Sequence, residues 1–475
     1  MKCMDTKLLG QDRCKHMKGA PSKSTRRGFL KMAALGGGLP AIAGGTEEQK
    51  FGPSRGPKIP AAHHIAAGLV APVGEVAGRL DRDALTSAVV AACDWISGVA
   101  QMKEDTLASE HNSHKLEHHH WRGALRGEYR ASTRQWDFFC PVWHTGQAIK
   151  ALVWASAALN RPDLLSAARL GAGFIEAERV TDQSDPNYGL IFAFEDFGDK
   201  VSTSAVLEAL DGMFLLSDAT GDGHYAELAQ RAVAFEARHS YLGDGLFRDQ
   251  LDVKDSTYMP PAPGAEKPGR PLNDDAILLK AVQRGGKPEL RTIFYEVAER
   301  LLREEDPPGN WIGFGPCNAG TGMIHPRQAY WWGLPMIDAF RDSRDPRYLA
   351  CARRAGQWYQ NAMRLDGGLF RGTRCDFKTD SFSHATSGVA CAVRLWEELW
   401  EETRDEAWLE SIRVGMNFCL SMQFRNVRDP NLQGALIEGV EAPGGSDASP
   451  YYVRDIATIF FVQAASRLLI DEIPA

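Results

Sequence analysis

Five short stretches of one design recur along this chain of 475 residues. The clearest is Arg344-Asp345-Pro346-Arg347-Tyr348-Leu349. Its relatives are Arg161-Pro162-Asp163-Leu164, Gly221-Asp222-Gly223-His224-Tyr225, Gly286-Lys287-Pro288-Glu289-Leu290 and Arg404-Asp405-Glu406-Ala407-Trp408. Copies lie about sixty residues apart, and self-similarity at a fixed period marks a repeat architecture. Each copy separates one apolar helical stretch from another, so each reads as the elbow of a helical hairpin.

The stretches before the elbows are 143–158, 204–218, 275–283, 328–340 and 387–402. They follow the pattern of 143–158, which is apolar nearly all round, as a helix buried on most sides must be. Those after the elbows, 163–178, 225–238, 290–303, 348–363 and 407–424, are amphipathic and belong outside. A final apolar helix, 452–470, has no following partner. The lone N-terminal helix at 81–102, with Asp81 or Asp83 placed to cap it, can supply one. Six inner and six outer helices make an all-α, closed (α/α)6 toroid over 81–475. An open solenoid would leave Phe460, Phe461 and the first helix with uncovered apolar faces.

A second repeat follows each outer helix: Tyr188-Gly189-Leu190, Asp244-Gly245-Leu246-Phe247, Asn310-Trp311-Ile312-Gly313, Asp366-Gly367-Gly368-Leu369 and Leu432-Gln433-Gly434-Ala435. Short elbows therefore lie on one face and long, extended loops on the other. Every inner helix starts at the long-loop face. Converging helix N-termini, with their free N–H groups, predispose that funnel to an anion.

The candidate site lining is read from the start of each inner helix. It comprises Trp143, His144 and Gln147; Ser202 and Ser204; Asn273, Asp274 and Asp275; His325 and Arg327; His384; and Tyr451, Tyr452, Arg454 and Asp455. Asp274 and Asp275 are the acid candidates, because a carboxyl in a crowded mouth can have its pKa raised and act as general acid. Helix capping by Asn273 or Asp274 is the bland alternative. His144, His325, His384 and Tyr452 are candidate proton shuttles. Arg327 and Arg454 can hold a carboxylate, and Trp331, Trp332 and Tyr451 can stack on a sugar. One member of each aromatic pair must face the core. Asp211 is a charge on an apolar inner helix, read as a paired structural carboxylate rather than a deeper partner. In the His-rich segment 110–120, His111, His114 and His118 would share a face if helical. A polar loop that touches substrate is the preferred reading, so no metal and no cofactor is assigned.

Ser24-Thr25-Arg26-Arg27-Gly28-Phe29-Leu30-Lys31 is a twin-arginine export motif, followed by a short apolar run and a small-x-small cleavage site, Ala41-Ile42-Ala43. Residues 1–43 therefore read as a signal peptide for the twin-arginine translocase, and 44–80, rich in Gly and Pro, as an irregular tail. The product is expected in the periplasm or outside the cell, with no membrane span. Cleavage leaves 45 basic against 59 acidic residues, a net charge near −14, which argues against nucleic acid as a partner. Seven cysteines remain, an odd number without CxxC spacing, and read as buried small hydrophobes rather than a disulfide framework. Twelve Trp suit sugar clefts, although core filling accounts for most.

The hairpin count, the elbow motif and Ala385-Thr386-Ser387-Gly388 at the fifth inner helix resemble the six-hairpin glycosidase-like superfamily. The resemblance covers about residues 80–470. It implies a toroid like that of unsaturated uronyl hydrolases and exo-acting glucuronidases, with one or two Asp at inner-helix positions as acid/base, here Asp274 or Asp275 with Asp211. Three readings follow: a glycoside hydrolase on a uronate-containing glycan; a polysaccharide lyase using His or Tyr as base on the same anionic substrate; and a non-enzymatic sugar-binding protein. Gly146-Gln147-Ala148-Ile149 also resembles toroidal uronyl epimerases.

Overall fold

The computed structural model describes residues 79–474 except 108–109, 132, 196, 262–266, 380–384 and 441–450. The chain divides into Met1–Gln49 and Lys50–Ala475, and only the second unit holds described residues. The export signal read at 1–43 and the tail, save its last two residues, lie outside them.

Among the described residues, twelve α-helices alternate between an inner and an outer ring. The inner ones are α2 (Pro141–Leu159), α4 (Thr203–Thr220), α6 (Ile277–Gln283), α8 (Gln328–Ser343), α10 (Thr386–Thr403) and α12 (Asp455–Ile470). The outer ones are α3 (Asp163–Ala177), α5 (Gly223–His239), α7 (Glu289–Arg303), α9 (Pro346–Ala362), α11 (Glu406–Ser421) and α1 (Arg82–Trp95), which a π turn, Ile96–Ala100, prolongs. Inner helices pack in sequence order, a 3-10 turn at Asp274–Ala276 joins α6 to α8, and α12 returns to α2. The all-α toroid is what the repeat predicts. Composition explains the two rings: α2 buries nearly its whole circumference, whereas α7 buries only Leu290, Phe294, Val297, Ala298 and Leu301, one stripe at helical spacing.

The elbow repeat is a stop signal joined to a start signal. Asn160, Gly221, Gly285, Arg344 and Arg404 all take positive φ, between 54° and 87°, where the inner helix ends. Asp222, Asp345 and Asp405 then accept the N–H of His224, Arg347 and Ala407 at 3.1, 2.9 and 3.0 Å, capping the outer helix.

The loop repeat closes the ring. Gly123, Gly189, Gly245, Gly309, Gly367 and Gly434 all have positive φ, and each lies against a backbone carbonyl of the next outer helix. A Cβ on Gly309 would stand 2.2 Å from the Arg354 oxygen, and one on Gly434 would stand 2.4 Å from that of Ala91. The last loop is thus fastened to the first helix. The tightest inner crossing is also built on glycine: a Cβ on Gly146 of α2 would meet Ala209 of α4 at 2.3 Å.

Two expectations need correction. Tyr451–Arg454 is a strand rather than the start of α12, because Tyr452 and Val453 pair with Arg130 and Tyr129. The polar segment before α2 is also less irregular than its composition implies. Its strands Glu110–His111, Gly127–Arg130 and Gln135–Phe138 complete a five-stranded sheet with Tyr451–Arg454 and Gly439–Val440. Among the described residues, Arg82–Ala100 is the one helix long and apolar enough to cross a membrane. Here Leu85, Val89, Ala92 and Trp95 are buried, and the helix packs on α12.

Candidate active site

A cleft of about 330 Å³ opens where the inner helices begin. One wall is cationic and aromatic. Arg327, at the start of α8, is buried with its guanidinium 5.5 Å from the Trp143 ring and 5.1 Å from that of Trp331. Its Nη1 donates to Ser387 Oγ at 2.9 Å, and that hydroxyl donates to the buried carboxylate of Glu438 at 2.7 Å. Arg454 lies 4.3 Å over the Phe139 ring and pairs with Glu128. His325 stacks on Trp331 at 4.9 Å with the planes 7° apart. Burial, then the cations Arg327, Arg371, Arg454 and Arg270, hold its pKa well below the ordinary value, so the ring is neutral. Its Nδ1 accepts the Arg327 N–H at 3.3 Å. The ring proton is therefore on Nε2, and the other nitrogen presents a donor.

The rest of the lining is mostly acidic. Ser204 and Glu208 stand one turn apart on α4, with Glu195, Asp249 and Arg270 beside them. Arg270 bridges to Asp249 at 3.1 Å and Ser204 at 3.3 Å, and Ser202 Oγ donates to Glu195 at 3.0 Å. The Glu208 carboxyl has no hydrogen-bond partner among the described residues. Burial, then the charge of Asp274, raises its pKa well above the carboxylate range. Burial also lifts Asp274 to about 7, with Arg270 opposing and Asp275 reinforcing. Two neighbouring carboxyls, each pushed upward, can divide acid and base roles between them.

Asp275 goes elsewhere. Lys150, fully buried on α2, lies 2.5 Å from Asp275 and 2.8 Å from Asp211, and Lys280 also reaches Asp211 at 2.8 Å. Burial alone would raise Asp211, but the two ammonium groups outweigh it and hold it well below the carboxylate range. Asp211 is the paired structural carboxylate that its setting implies. Asp275 and Ala276 have φ of 51° and 52°. Such left-handed non-glycine residues cost on the order of 1–3 kcal/mol each and persist only where their surroundings hold them. No side chain caps this turn or α6, so the capping alternative for Asn273 and Asp274 is not realised.

Of the residues expected to line the funnel, Trp143, Ser204, His325, Arg327, Trp331 and Arg454 do so. His144 does not: it is fully buried, with Nδ1 2.5 Å from the Asp455 carboxylate, tying α2 to α12. Gln147 is consumed between the Glu208 carbonyl at 2.6 Å and Gln463 at 2.9 Å. Trp332 is core, edge-on to Trp311 and Phe314. Asn273 is buried with neither side-chain polar atom partnered among the described residues. His384 and the side chains of Tyr451 and Tyr452 lie outside the described residues. The histidines at 110–120 do not converge, because the segment is not helical. His118 is buried 2.9 Å from Glu178, and His111 is exposed, 4.0 Å from Asp137. Glu208 was overlooked, although its place four residues after Ser204 on an apolar helix is a readable signal. Arg270 and Asp249 sit in the long loop between α5 and α6, where the helical pattern carries no information.

The ring of hairpins defines a class: the fold is the six-hairpin (α/α)6 toroid. Similar structures are a cellobiose 2-epimerase from Bacillus thermoamylovorans, at 10% identity and TM-score 0.59 over 81% of this chain and 99% of that one, and an unsaturated glucuronyl hydrolase specific for heparin, at 12% and 0.59 over 83% and 99%. A D-mannose isomerase follows at 13% and 0.57 over 83% and 98%. At these identities the likeness establishes the fold alone. No protein-family model and no curated protein sequence matches the chain.

Proposed function

We propose that the chain is a carbohydrate-active enzyme that hydrolyses a glycosidic bond in a uronate-containing saccharide. The observation that carries this reading is Glu208, a buried carboxyl without a hydrogen-bond partner among the described residues, which lines one cleft with Arg327 and Arg454 and feels the charge of Asp274. Burial and the charge of Asp274 favour the protonated form of Glu208, which makes it the acid, and Asp274, with Arg270 beside it, is the base. Glu208 then gives its proton to the glycosidic oxygen, or to the ring double bond of an unsaturated uronate. Asp274 takes a proton from the attacking water, whose oxygen bonds in the first case to the anomeric carbon that the leaving group vacates. In the second it bonds to the double-bond carbon next to the ring oxygen, giving a hemiketal whose ring opening leaves a hemiacetal that releases the alcohol. Arg327 and Arg454 hold the substrate carboxylate. The roles differ from the sequence expectation: Glu208 replaces Asp274 as the acid, and Asp275 is left to Lys150. His325, neutral and with Nδ1 already accepting the Arg327 N–H, is left a donor rather than a base, which supports hydrolysis over elimination.

The structural neighbours support the carbohydrate class, since they include enzymes named for hydrolysis, epimerisation and isomerisation of sugars. The twin-arginine motif supports a reaction outside the cytoplasm. The test is a panel of uronate oligosaccharides followed by reducing-end release and by absorbance of the unsaturated-uronate band. New reducing ends with constant or falling absorbance support hydrolysis. Rising absorbance means elimination, and binding without either change means a sugar-binding protein.

A further inference from the structure

We propose that Lys150 is a positioning residue for the acid/base pair: by gripping Asp275 from α2 it holds the left-handed turn that presents Asp274 to Glu208. The inference rests on Asp274 being the second member of that pair. Lys150 sits one helical turn beyond Gly146, where α2 and α4 are closest, and is fully buried on the inner side of the ring. Its ammonium bridges two elements, reaching Asp275 at 2.5 Å and Asp211 on α4 at 2.8 Å. Lys280, on the short helix that the turn leads into, closes the cluster at Asp211, again at 2.8 Å. Two cations and two carboxylates balance, which is what keeps so many buried charges tolerable.

The turn needs such a grip. Two consecutive non-glycine residues, Asp275 and Ala276, hold positive φ, and no side chain caps the α6 helix that follows, only seven residues long. Adjacent side chains of this turn serve opposite ends of the site. Asp275 is drawn to Lys150, and Asp274 is left among Glu208, Arg270 and Asp249, the charged groups that bear on it from the surrounding elements. Without Lys150 the Asp275 carboxylate would be a buried charge with no cation. The turn could then relax toward water, taking Asp274 with it.

A change at Lys150 acts on Asp274 with opposite signs under the two readings. If Lys150 contributes only charge, removing a cation makes Asp274 harder to ionise and its titration stays or moves upward. If Lys150 positions the turn, Asp274 gains water and its titration moves down toward the ordinary carboxylate range.

The measurement is a difference infrared titration of the protonated carboxyl band, identified by its loss in Asp274→Asn. In the parent protein the band is expected to titrate at about 7. In Lys150→Met it is expected roughly one unit or more lower, with kcat down about a hundredfold and KM nearly unchanged on an unsaturated uronate disaccharide. An unchanged or higher titration in folded Lys150→Met overturns the proposal. Should that variant fail to fold, Lys150→Met with Ala276→Gly, which frees the turn of strain at φ 52°, carries the same comparison. The infrared arm needs no turnover, so it is separable from the hydrolase reading. Full activity in both Asp274→Asn and Glu208→Gln would instead remove the chemistry on which the inference stands.

Discussion

The proposed hydrolysis assigns Glu208 and Asp274 different duties, and variants separate them. Glu208→Gln is expected to lower kcat by about 10²–10⁴-fold with KM little changed, as loss of a general acid does. Asp274→Asn should cost as much and also flatten the acid limb of the pH profile. In the parent enzyme kcat/KM is expected to rise as Asp274 ionises through about 7. A profile already at its maximum below pH 5 would contradict the assignment. Asp274 was legible because acids at helix starts invite attention. Glu208 was legible in principle, as the one other charge on the inward face of α4 with Asp211, but only after asking which face of that helix points inward. His144 misled, since a histidine at a helix start looks like a shuttle until Asp455, 311 positions later in the chain, is found against it.

At the scale of elements, the elbows and loop glycines are where sequence becomes geometry. Gly309→Ala should destabilise by about 1–3 kcal/mol, because positive φ strain is joined by a methyl 2.2 Å from the Arg354 oxygen. Gly221→Ala has φ 71° and nothing nearby, so chemical denaturation should register a smaller loss, near ~1 kcal/mol. Equal losses would mean that the loops are not fastened to the next helix. The outer helix α5 carries a titrating load of its own. Burial raises Glu236 to about 8, so the folded state holds a proton that the unfolded chain releases near its ordinary value. Stability is therefore lost as pH rises from about 4.5 to about 8, on the order of a few kcal/mol in all. Glu236→Gln should raise the melting temperature at pH 8.5 and change it little at pH 4.5. The helices themselves were legible to within a few residues because inner and outer stretches differ in how much of their circumference is apolar. The sheet was not. Its strands are two to four residues long, and their partners are drawn from segments more than three hundred residues apart, a pairing that local pattern does not encode.

At the scale of the whole molecule, closure and charge distribution connect fold to function. Loop Gly434 rests on α1 just as each earlier loop rests on its neighbour, so the ring is one cooperative object whose inner helix starts share a single mouth. Repeat spacing made that mouth predictable. Its polarity was not, because Arg270, Asp249 and Glu195 come from loops whose positions depend on the closed ring. The result is a chain with an excess of acidic residues whose cleft nevertheless brings Arg270, Arg327 and Arg454 together with Glu208, a setting suited to an anionic sugar and to proton transfer. The most direct test is hydrolysis of uronate oligosaccharides by the mature protein and by Glu208→Gln side by side. The account predicts new reducing ends without a rise in unsaturated-uronate absorbance, and loss of that activity in the variant while substrate still binds. Rising absorbance, or a Glu208→Gln protein as active as the parent, would contradict it.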